Sequence, residues 1–424
     1  MRRDYRVIAV LTFITSLLLT ATFGKIENRV SQVKTYPATV CPGTNTDGSL
    51  VDLLPNNKVL GSSIPSNKNK MGKIGTSNFS TKKALLVDGG SVTSTTILKG
   101  NSGWLAAINC SISDGDDWFV GGSANVSSKG TISIVNSGLS PAQVDLKIYS
   151  SKSPVTVSKT IPANSTNFVL IDSLAPGEDS VAINAITRAG RVSIFMLDNR
   201  SRGLRSIGGD FVAQSSPNKI IVIPNIPVTK EKGSQYLRIV VPGNVDANIK
   251  ANIYSSDGSF APISIDGATI NGMSVKDFEF KPIVADSSYS LQLVSDVPIN
   301  ASVLSKLGGD LIWSTSAPVI TQTSLQLGGF KPLIRFYGKN IDLNLSWIDS
   351  NGKRSGKRFV GTDTLAFRPK VGLIRAQFTS NNQESYGSML VNSGPGYAVL
   401  PITSGSHLES SSLPKSDARA INRG

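Results

Sequence analysis

The sequence predicts an all-β protein: tandem immunoglobulin-like β-sandwich modules that follow an N-terminal membrane segment. Three observations predict this fold. The 424-residue chain has few helix-favouring stretches and is rich in serine, asparagine, glycine and β-branched residues. From Trp118 onward, short alternating strands are separated by turn signals about every 8–12 residues, which is typical of a sandwich. The third observation is internal repetition at about the length of a domain.

The repeated stretches keep the same alternation of faces. Residues 134–138 and 144–151 return 105 residues later as 239–243 and 249–256. The apolar side chains of Val144, Leu146 and Ile148 point to one face of their strand, and the second copy has the same parity. A slip of one residue would invert both faces, so the shared phase indicates a common architecture.

A weaker third copy follows the second at an offset of 94 residues. Residues 343–347 align with 249–253, and the hairpin-turn sequence at 350–352 aligns with the one at 256–258. We therefore predict the following parts: a signal anchor or signal peptide (1–24), a disulfide-bearing β unit (25–116) with a basic loop (55–83), three β-sandwich modules (117–217, 218–320 and 321–403) and a disordered tail (404–424). Short connections disfavour free swinging and leave a semi-rigid rod and a closed ring as alternatives.

The N-terminus predicts export. Arg2, Arg3 and Arg6 precede the uncharged residues 7–24, a stretch barely long enough to cross a bilayer core as a helix. We favour a single N-terminal span in the cell membrane, with the C-terminal region outside the cytoplasm. The alternative is a cleaved signal peptide and a secreted protein.

The cysteine usage agrees with export. Cys41 and Cys110 are the two cysteines of the chain, and an oxidising compartment permits a disulfide between them. Two free thiols are the alternative. Such a bridge would tie together the edges of the first β unit, whose strands we expect at 38–41, 84–87 and 104–110.

The formal net charge of +14 is concentrated in three clusters. They are the lysine-rich loop 55–83, the group Arg200, Arg202 and Arg205, and the group Lys353, Arg354, Lys357 and Arg358 in a predicted hairpin. An exported basic protein meets anionic lipid head groups or acidic envelope polymers before it meets nucleic acid. The four residues of the last cluster are therefore candidates for binding a polyanion, and solvated basic loops are the alternative.

The residues that most catalytic sites require are scarce. His407 is the one histidine and lies in the predicted disordered tail, which argues against Ser-His-Asp, Cys-His and histidine-bearing zinc sites. We predict no catalytic residue, no metal site and no cofactor. Paired carboxylates, as in glycan hydrolysis, are the remaining enzymatic option. However, Asp210 and Asp310 occupy equivalent places in a repeated Gly-Gly-Asp motif, which favours a structural role.

One set of motifs consists of Cys41-Pro42, Trp104, Cys110, residues 118–122, 132–138 and 142–148, and the Gly208-Gly209-Asp210 motif. Together these motifs resemble the DUF5719 family of actinobacterial exported proteins. The resemblance extends over most of residues 38–400 and implies a bacterial cell-envelope protein with an N-terminal membrane segment. It implies no activity and no functional residue.

These observations predict a non-enzymatic, exported cell-envelope protein that is tethered to the membrane by residues 7–24 and acts by binding or scaffolding. Its partners would be the membrane and cell-wall polymers or another envelope protein, and not nucleic acid. One alternative is a basic adhesion module for acidic or glycan polymers of the cell wall. The other is a carboxylate-based glycan hydrolase.

Overall fold

Strands make up most of the chain wherever the structure describes it. The computed structural model describes residues 38–44, 50–54, 60–65, 72–73, 79–80, 82–87, 92–100, 102–112, 115–128, 130–203, 205–229, 234–382 and 384–403. In these ranges no helix is long and apolar enough to span a membrane. The predicted membrane segment 1–24, most of the basic loop 55–83 and the predicted tail 404–424 with His407 lie outside the described residues. The all-β prediction is confirmed for the part of the chain that is described.

The first segment, residues 39–109, contains two four-stranded sheets. Its strands are β1 (Thr39–Cys41), β2 (Leu50–Leu54), β3 (Leu60–Ile64), β4 (Gly72–Lys73), β5 (Phe79–Ser80), β6 (Ala84–Val87), β7 (Thr95–Lys99) and β8 (Leu105–Asn109). The sheet orders are β1-β6-β3-β4 and β5-β2-β7-β8. The strands β1, β6 and β8 confirm the three that we expected from the sequence.

The second segment, residues 116–212, also contains two four-stranded sheets. Its elements are β9 (Asp116–Val120), β10 (Thr131–Asn136), β11 (Ala142–Tyr149), β12 (Val155–Ile161), β13 (Ser165–Leu170), a 3₁₀ turn (Ile171–Ser173), β14 (Ala182–Ala189), β15 (Val192–Arg202) and β16 (Arg205–Val212). The sheet orders are β12-β11-β14-β9 and β13-β10-β15-β16.

The third segment, residues 218–315, is organised around one long strand. Its strands are β17 (Asn218–Pro227), β18 (Gln235–Val241), β19 (Ala247–Ser255), β20 (Gly258–Phe260), β21 (Thr269–Ile270), β22 (Ser274–Glu279), β23 (Ser288–Leu307) and β24 (Asp310–Thr315). The first half of β23 pairs with β17 and β19, and its second half pairs with β18 and β24. One strand therefore belongs to both layers of this segment.

The fourth segment, residues 322–401, repeats this device with β26. Its strands are β25 (Gln322–Phe330), β26 (Leu333–Asp349), β27 (Arg354–Phe367), β28 (Leu373–Ser380), β29 (Tyr386–Ser393) and β30 (Gly396–Pro401). The start of β26 pairs with β29, its end pairs with β28, and β27 follows it along most of its length. A register shift between Gly338 and Ile341 separates the two halves of the β26–β27 ladder.

The predicted phase of the repeats is confirmed by burial. The inward positions of β11 (Val144, Leu146, Ile148), of β19 (Ile249, Ala251, Ile253) and of the second half of β26 (Leu343, Leu345) are all at most 3 % exposed. The side chains between them are half-buried or exposed. The aligned turns also join paired strands, β19 to β20 and β26 to β27.

Strands β10, β18 and the start of β26 are buried on both faces, and this explains how the segments join. In β18, Leu237, Ile239 and Val241 belong to the core of the third segment. Val240, on the other face, packs with Trp118 of the second segment. A strand between two cores must carry apolar residues at successive positions, as this one does.

The segments close into a ring. Ile108 packs with Phe211, which joins the first segment to the second, and Trp313 lies in the core of the second segment, which joins it to the third. Ile312 packs with the fourth segment, and Leu105 lies in the core of the fourth segment, although it belongs to the first. Of the two alternatives left open by the sequence, the described residues therefore form the closed ring.

Candidate functional site

The innermost strands of the four segments meet at a central hub. Strand β16 packs beside β8 and β24, and β30 packs beside the same two strands. Each of the four strands comes from a different segment, so all four segments contribute to the hub. The two aspartates of the repeated Gly-Gly-Asp motif lie on β16 and β24, at this hub.

Asp310 accepts hydrogen bonds from all four segments. Its Oδ1 accepts from the backbone N–H groups of Leu311 (2.7 Å) and Gly209 (3.4 Å). Its Oδ2 accepts from those of Leu105 (3.0 Å) and Tyr397 (2.9 Å). Leu105, Gly209 and Tyr397 belong to the first, second and fourth segments, so one buried carboxylate fastens the third segment to the other three.

Asp210 makes a similar but smaller set of contacts. Its Oδ1 accepts from the N–H of Phe211 at 2.8 Å, the counterpart of the Asp310–Leu311 bond. Its Oδ2 accepts from the N–H of Trp313 in the third segment at 2.9 Å. Each aspartate thus accepts one hydrogen bond from the next residue in the chain and at least one from another segment. These contacts are consistent with the structural role expected from the repeat.

Burial changes the acidity of both carboxyl groups. It raises the pKa of Asp310 to about 6, although the four backbone N–H donors act in the opposite direction. Burial, together with the nearby charge of Asp310, raises the pKa of Asp210 well above its usual range. Perturbed carboxyl groups are often found in active sites. In this hub the side chain of Asp210 is fully buried and both its oxygens accept backbone hydrogen bonds.

The glycines of the two motif copies do different things. Gly208 lies in β16 with a φ of +130°, and a Cβ there would stand 2.5 Å from the backbone nitrogen of Leu311. Glycine thus permits β16 and β24 to approach each other. Gly308 and Gly309 instead form the turn between β23 and β24, with positive φ angles of 62° and 86°.

Arg238 of β18 joins the third segment to the second. Its side chain is buried, and its Nη1 donates to the backbone carbonyl oxygens of Gly122 and Val181 in the second segment. Its Nε and Nη2 pair with the two carboxylate oxygens of Asp277 at 2.8 Å each. Burial opposes ionisation of Asp277, but Arg238 outweighs it and lowers the pKa of that carboxyl.

Arg335 of β26 plays the same part between the fourth segment and the third. It is 2 % exposed, and it donates to Ser288 Oγ and Asp286 Oδ2 of the third segment, each at 3.0 Å. Arg238 and Arg335 occupy corresponding strands of successive segments. Neither arginine was among the functional residues predicted from the sequence. The available signal was a single arginine between apolar neighbours, in Leu237-Arg238-Ile239 and Ile334-Arg335-Phe336.

The predicted polyanion-binding residues do not share one face of their hairpin. Arg354 and Arg358 are exposed on β27 and have the same parity, whereas Lys357 has the opposite parity. Arg358 pairs with Asp342 at 2.7 Å, and Lys357 Nζ lies 5.0 Å from the ring centroid of Phe359. Lys353 is exposed in the turn before β27, where its backbone N–H donates to Asp349.

Comparison with known proteins bears on this architecture. A family model described as a family of unknown function, DUF5719, matches residues 80–326, more than half of the chain. The chain belongs to the DUF5719 family. The resemblance drawn from the sequence is confirmed. No curated protein matches this sequence.

The DUF5719 match contains three of the four hub strands, β8, β16 and β24, and the first of the two arginine contacts. Asp210, Arg238 and Asp310 lie inside residues 80–326, and the hairpin with Lys353 and Arg358 lies outside them. Among the described residues, no group of three or more histidine, cysteine, aspartate or glutamate side chains is placed to hold a metal ion.

The predicted disulfide of this DUF5719 protein is present. Cys41 and Cys110 are bonded, with their Cα atoms 4.4 Å apart, and both are buried. Cys41 ends β1 at the edge of one sheet, and Cys110 directly follows β8 at the edge of the other. The bond therefore fastens the first segment to the strand that this segment contributes to the hub.

Removing this bond should lower the stability of the ring. The bond closes a sequence separation of 69 residues, and constraining such a loop in the unfolded chain stabilises the folded state by about 4 kcal/mol. We expect a loss of this size in guanidinium unfolding of the Cys41→Ala/Cys110→Ala variant. Reduced wild type should match the variant. Equal stability of oxidised wild type and variant would contradict the prediction.

The ionisation of Asp310 should make stability fall as the pH rises from about 4 to about 6. Its pKa of about 6 in the folded state exceeds the ordinary value of 3.8, so the folded state binds more protons in this window. The fall should amount to about 3 kcal/mol for this group. Asp277 and Asp286 have lowered pKa values, so their contribution is lost only at more acidic pH.

The measurement is urea unfolding across this window, with Asp310→Asn as the matched variant because an amide does not ionise. As the pH rises, the free energy of unfolding should fall more for the wild type than for the variant. A constant difference from pH 4 to pH 7 would show that Asp310 does not titrate in the window.

Proposed function

We propose that this protein is a non-enzymatic, exported cell-envelope protein that acts as a rigid platform for binding or scaffolding. The observation that carries the proposal is the hub. Its two aspartates form backbone hydrogen bonds between segments, Asp310 with all four and Asp210 with the third. Carboxylates used in this way stabilise a fixed arrangement of strands. The buried disulfide supports export, because such bonds persist in oxidising compartments.

We propose further that each segment is a variant of the immunoglobulin-like sandwich. Two sheets face each other in the first and second segments, and in the third and fourth a single long strand belongs to both layers. In this proposal the N-terminal residues 7–24 tether the ring to the membrane outside the cytoplasm. A cleaved signal peptide and a secreted ring are the alternative.

Two measurements test the proposal in the organism that makes the protein. Intact mass of the protein from the membrane fraction should include residues 1–24, whereas a mature N-terminus near Lys25 would refute the tether. The purified chain should release no reducing ends from cell-wall glycan. Release above a protein-free control would overturn the non-enzymatic assignment in favour of a carboxylate-based hydrolase.

A second candidate function is adhesion to acidic or glycan polymers of the cell wall through Lys353, Arg354, Lys357 and Arg358. The exposure of Lys353 and Arg354 at the tip of the β26–β27 hairpin favours it. Binding of the whole chain to purified cell wall should weaken as salt increases. Binding that is equally strong at low and high salt would exclude this electrostatic form of adhesion.

A further inference from the structure

A cationic cleft opens beside the hub, between the second and third segments. The cleft has a volume of about 820 Å³, and its lining includes Arg200, Arg202, Lys306, Gly308, Gly309 and Asp310. Arg200 and Arg202 come from the end of β15, and Lys306 comes from the end of β23. Two separate strands thus direct positive side chains to one concave surface.

The three cations differ in how firmly they are held. The side chain of Arg200 is 14 % exposed and pairs with Asp198 at 2.8 Å, so this residue is fixed in place. Arg202 and Lys306 are exposed, and Lys306 Nζ lies 5.4 Å from the ring centroid of Tyr236. Burial and the charges of Arg200 and Arg202 lower the pKa of Lys306, with Glu279 acting against them. An anion bound between Arg202 and Lys306 would relieve this repulsion.

An arm that the third segment lacks forms one wall of the cleft. In the second segment the hub residue Asp210 lies opposite Asp198 in the β15–β16 ladder. The hairpin therefore continues beyond the hub through Arg200 and Arg202. In the third segment the hub residue Asp310 pairs with Leu307, directly at the turn. The hairpin of the second segment therefore has a cationic extension that the corresponding hairpin of the third segment lacks. The hub contacts do not depend on this extension.

The cleft adjoins a second cavity of about 470 Å³ at two shared residues, Val228 and Leu307. This neighbouring cavity is lined by Arg368, Asn392 and Tyr397 of the fourth segment, among others. The two cavities therefore lie side by side across the second, third and fourth segments, and cationic side chains line both; together we call them the groove. Asp286, which lines the second cavity, is already paired with Arg335.

We propose that this groove binds an acidic glycan chain, with Arg202 and Lys306 holding the carboxylate of one sugar and the second cavity holding the next sugars. An arginine guanidinium matches a carboxylate with two parallel hydrogen bonds. An aromatic ring and an amide, in this cavity Tyr397 and Asn392, offer the amphipathic contacts that a sugar needs. Cationic side chains in both adjoining cavities favour a polymer, which can occupy both, over a single small anion. The inference rests on the proposed binding function and places its site at the groove instead of at the β26–β27 hairpin.

The test is binding of the full chain to three labelled polymers: oligogalacturonate, poly(glycerol phosphate) and neutral dextran. The cleft variant is Arg202→Ala/Lys306→Ala, which leaves the Arg200–Asp198 pair intact. The matched control is Lys353→Ala/Arg354→Ala, because it also removes two exposed positive charges. Thermal unfolding should show that both variants fold as wild type does. We expect the cleft variant to bind oligogalacturonate at least about tenfold more weakly, and the control to change little.

Each other outcome has a distinct meaning. If the control loses affinity and the cleft variant does not, the groove is the wrong site and adhesion through the hairpin stands. If poly(glycerol phosphate) binds and oligogalacturonate does not, the proposed acidic glycan is wrong. If neither anionic polymer binds even at low salt, the groove and polymer adhesion both fail, whereas a scaffolding role is untouched. Binding of dextran as tight as that of oligogalacturonate would overturn the role of the cations.

Discussion

Replacing Asp310 by alanine should lower the free energy of unfolding at pH 4 by about 5 kcal/mol, because four backbone N–H donors would lose their acceptor at once. A buried donor without a partner costs about 1–3 kcal/mol. Asp310 is 2 % exposed, but it borders the cationic cleft. Water that enters from the cleft would accept hydrogen bonds from some of these donors. The loss of stability should therefore lie near the lower end of the summed cost of four unpaired donors.

The measurement is guanidinium unfolding of the whole chain, with Asp172→Ala as control. Asp172 is exposed in the 3₁₀ turn at 171–173, so its loss should change stability little. The Asp310 variant should also expose the seam between β8 and β30, and hydrogen exchange should become faster at the backbone amides of Leu105 and Tyr397. A loss no larger than that of the control would mean that the hydrogen bonds to Asp310 do not stabilise the ring.

The features that the sequence predicted correctly are those that depend on local patterns. The alternation in residues 144–148 predicts a buried and an outer face for any strand that packs on one core. The turn at 350–352 follows from an Asn-Gly pair between strands. The link between Cys41 and Cys110 follows from the presence of two cysteines and from the export that the N-terminus predicts. None of these features depends on which segments become neighbours.

The closed ring depends on contacts between distant residues, and for these the sequence carries little signal. Thr93 pairs with Leu325, and Thr95 Oγ1 donates to the carbonyl oxygen of Gln326 at 2.8 Å across a separation of 231 residues. Nothing in the sequence pattern of either stretch identifies the other as its partner. For the same reason the repeat identified Asp310 as structural but did not identify its partners in the other segments.

The basic clusters show a second limit on what can be predicted from the sequence. A count of lysines and arginines treats Arg200, Arg202, Lys357 and Arg358 alike. In the folded chain Arg200 is held by Asp198, Arg358 is paired with Asp342, and Lys357 lies over an aromatic ring. Arg202 has a place beside Lys306, 104 residues away in the sequence. Which cations act together is set by the fold.

Replacing Arg238 by alanine should also lower the free energy of unfolding by about 5 kcal/mol, the upper end of the range for breaking a buried ion pair. The change would leave Asp277 without its counter-ion, and it would leave the carbonyl oxygens of Gly122 and Val181 without their donor. Removing the side chain also opens a cavity beside Trp313, whose ring centroid lies 5.4 Å from the guanidinium carbon.

A surface ion pair of the same length provides the control. Arg188 pairs with Asp145 at 2.8 Å, the distance of the Arg238–Asp277 pair, but the side chain of Arg188 is 59 % exposed. Water screens such a pair, so Arg188→Ala should change the stability little. If the two alanine variants lost similar stability, the contribution of each pair would depend on its distance and not on its burial.

Two further variants separate the effect of charge from that of geometry at the seam, by which we mean the contact that Arg238 makes between the second and third segments. Arg238→Lys retains the positive charge but loses the planar fork that reaches Asp277 and the carbonyl oxygens of Gly122, Val181 and Asp179 at once, so it should recover only part of the lost stability. Arg238→Met/Asp277→Leu removes both charges and fills the space, and such replacements are often neutral or stabilising. If this double variant is as stable as wild type, Arg238 serves to choose which segments pair, because apolar side chains would then hold the seam equally well. If it is as unstable as Arg238→Ala, the bonds from Arg238 to the carbonyl oxygens of the second segment are what hold the seam.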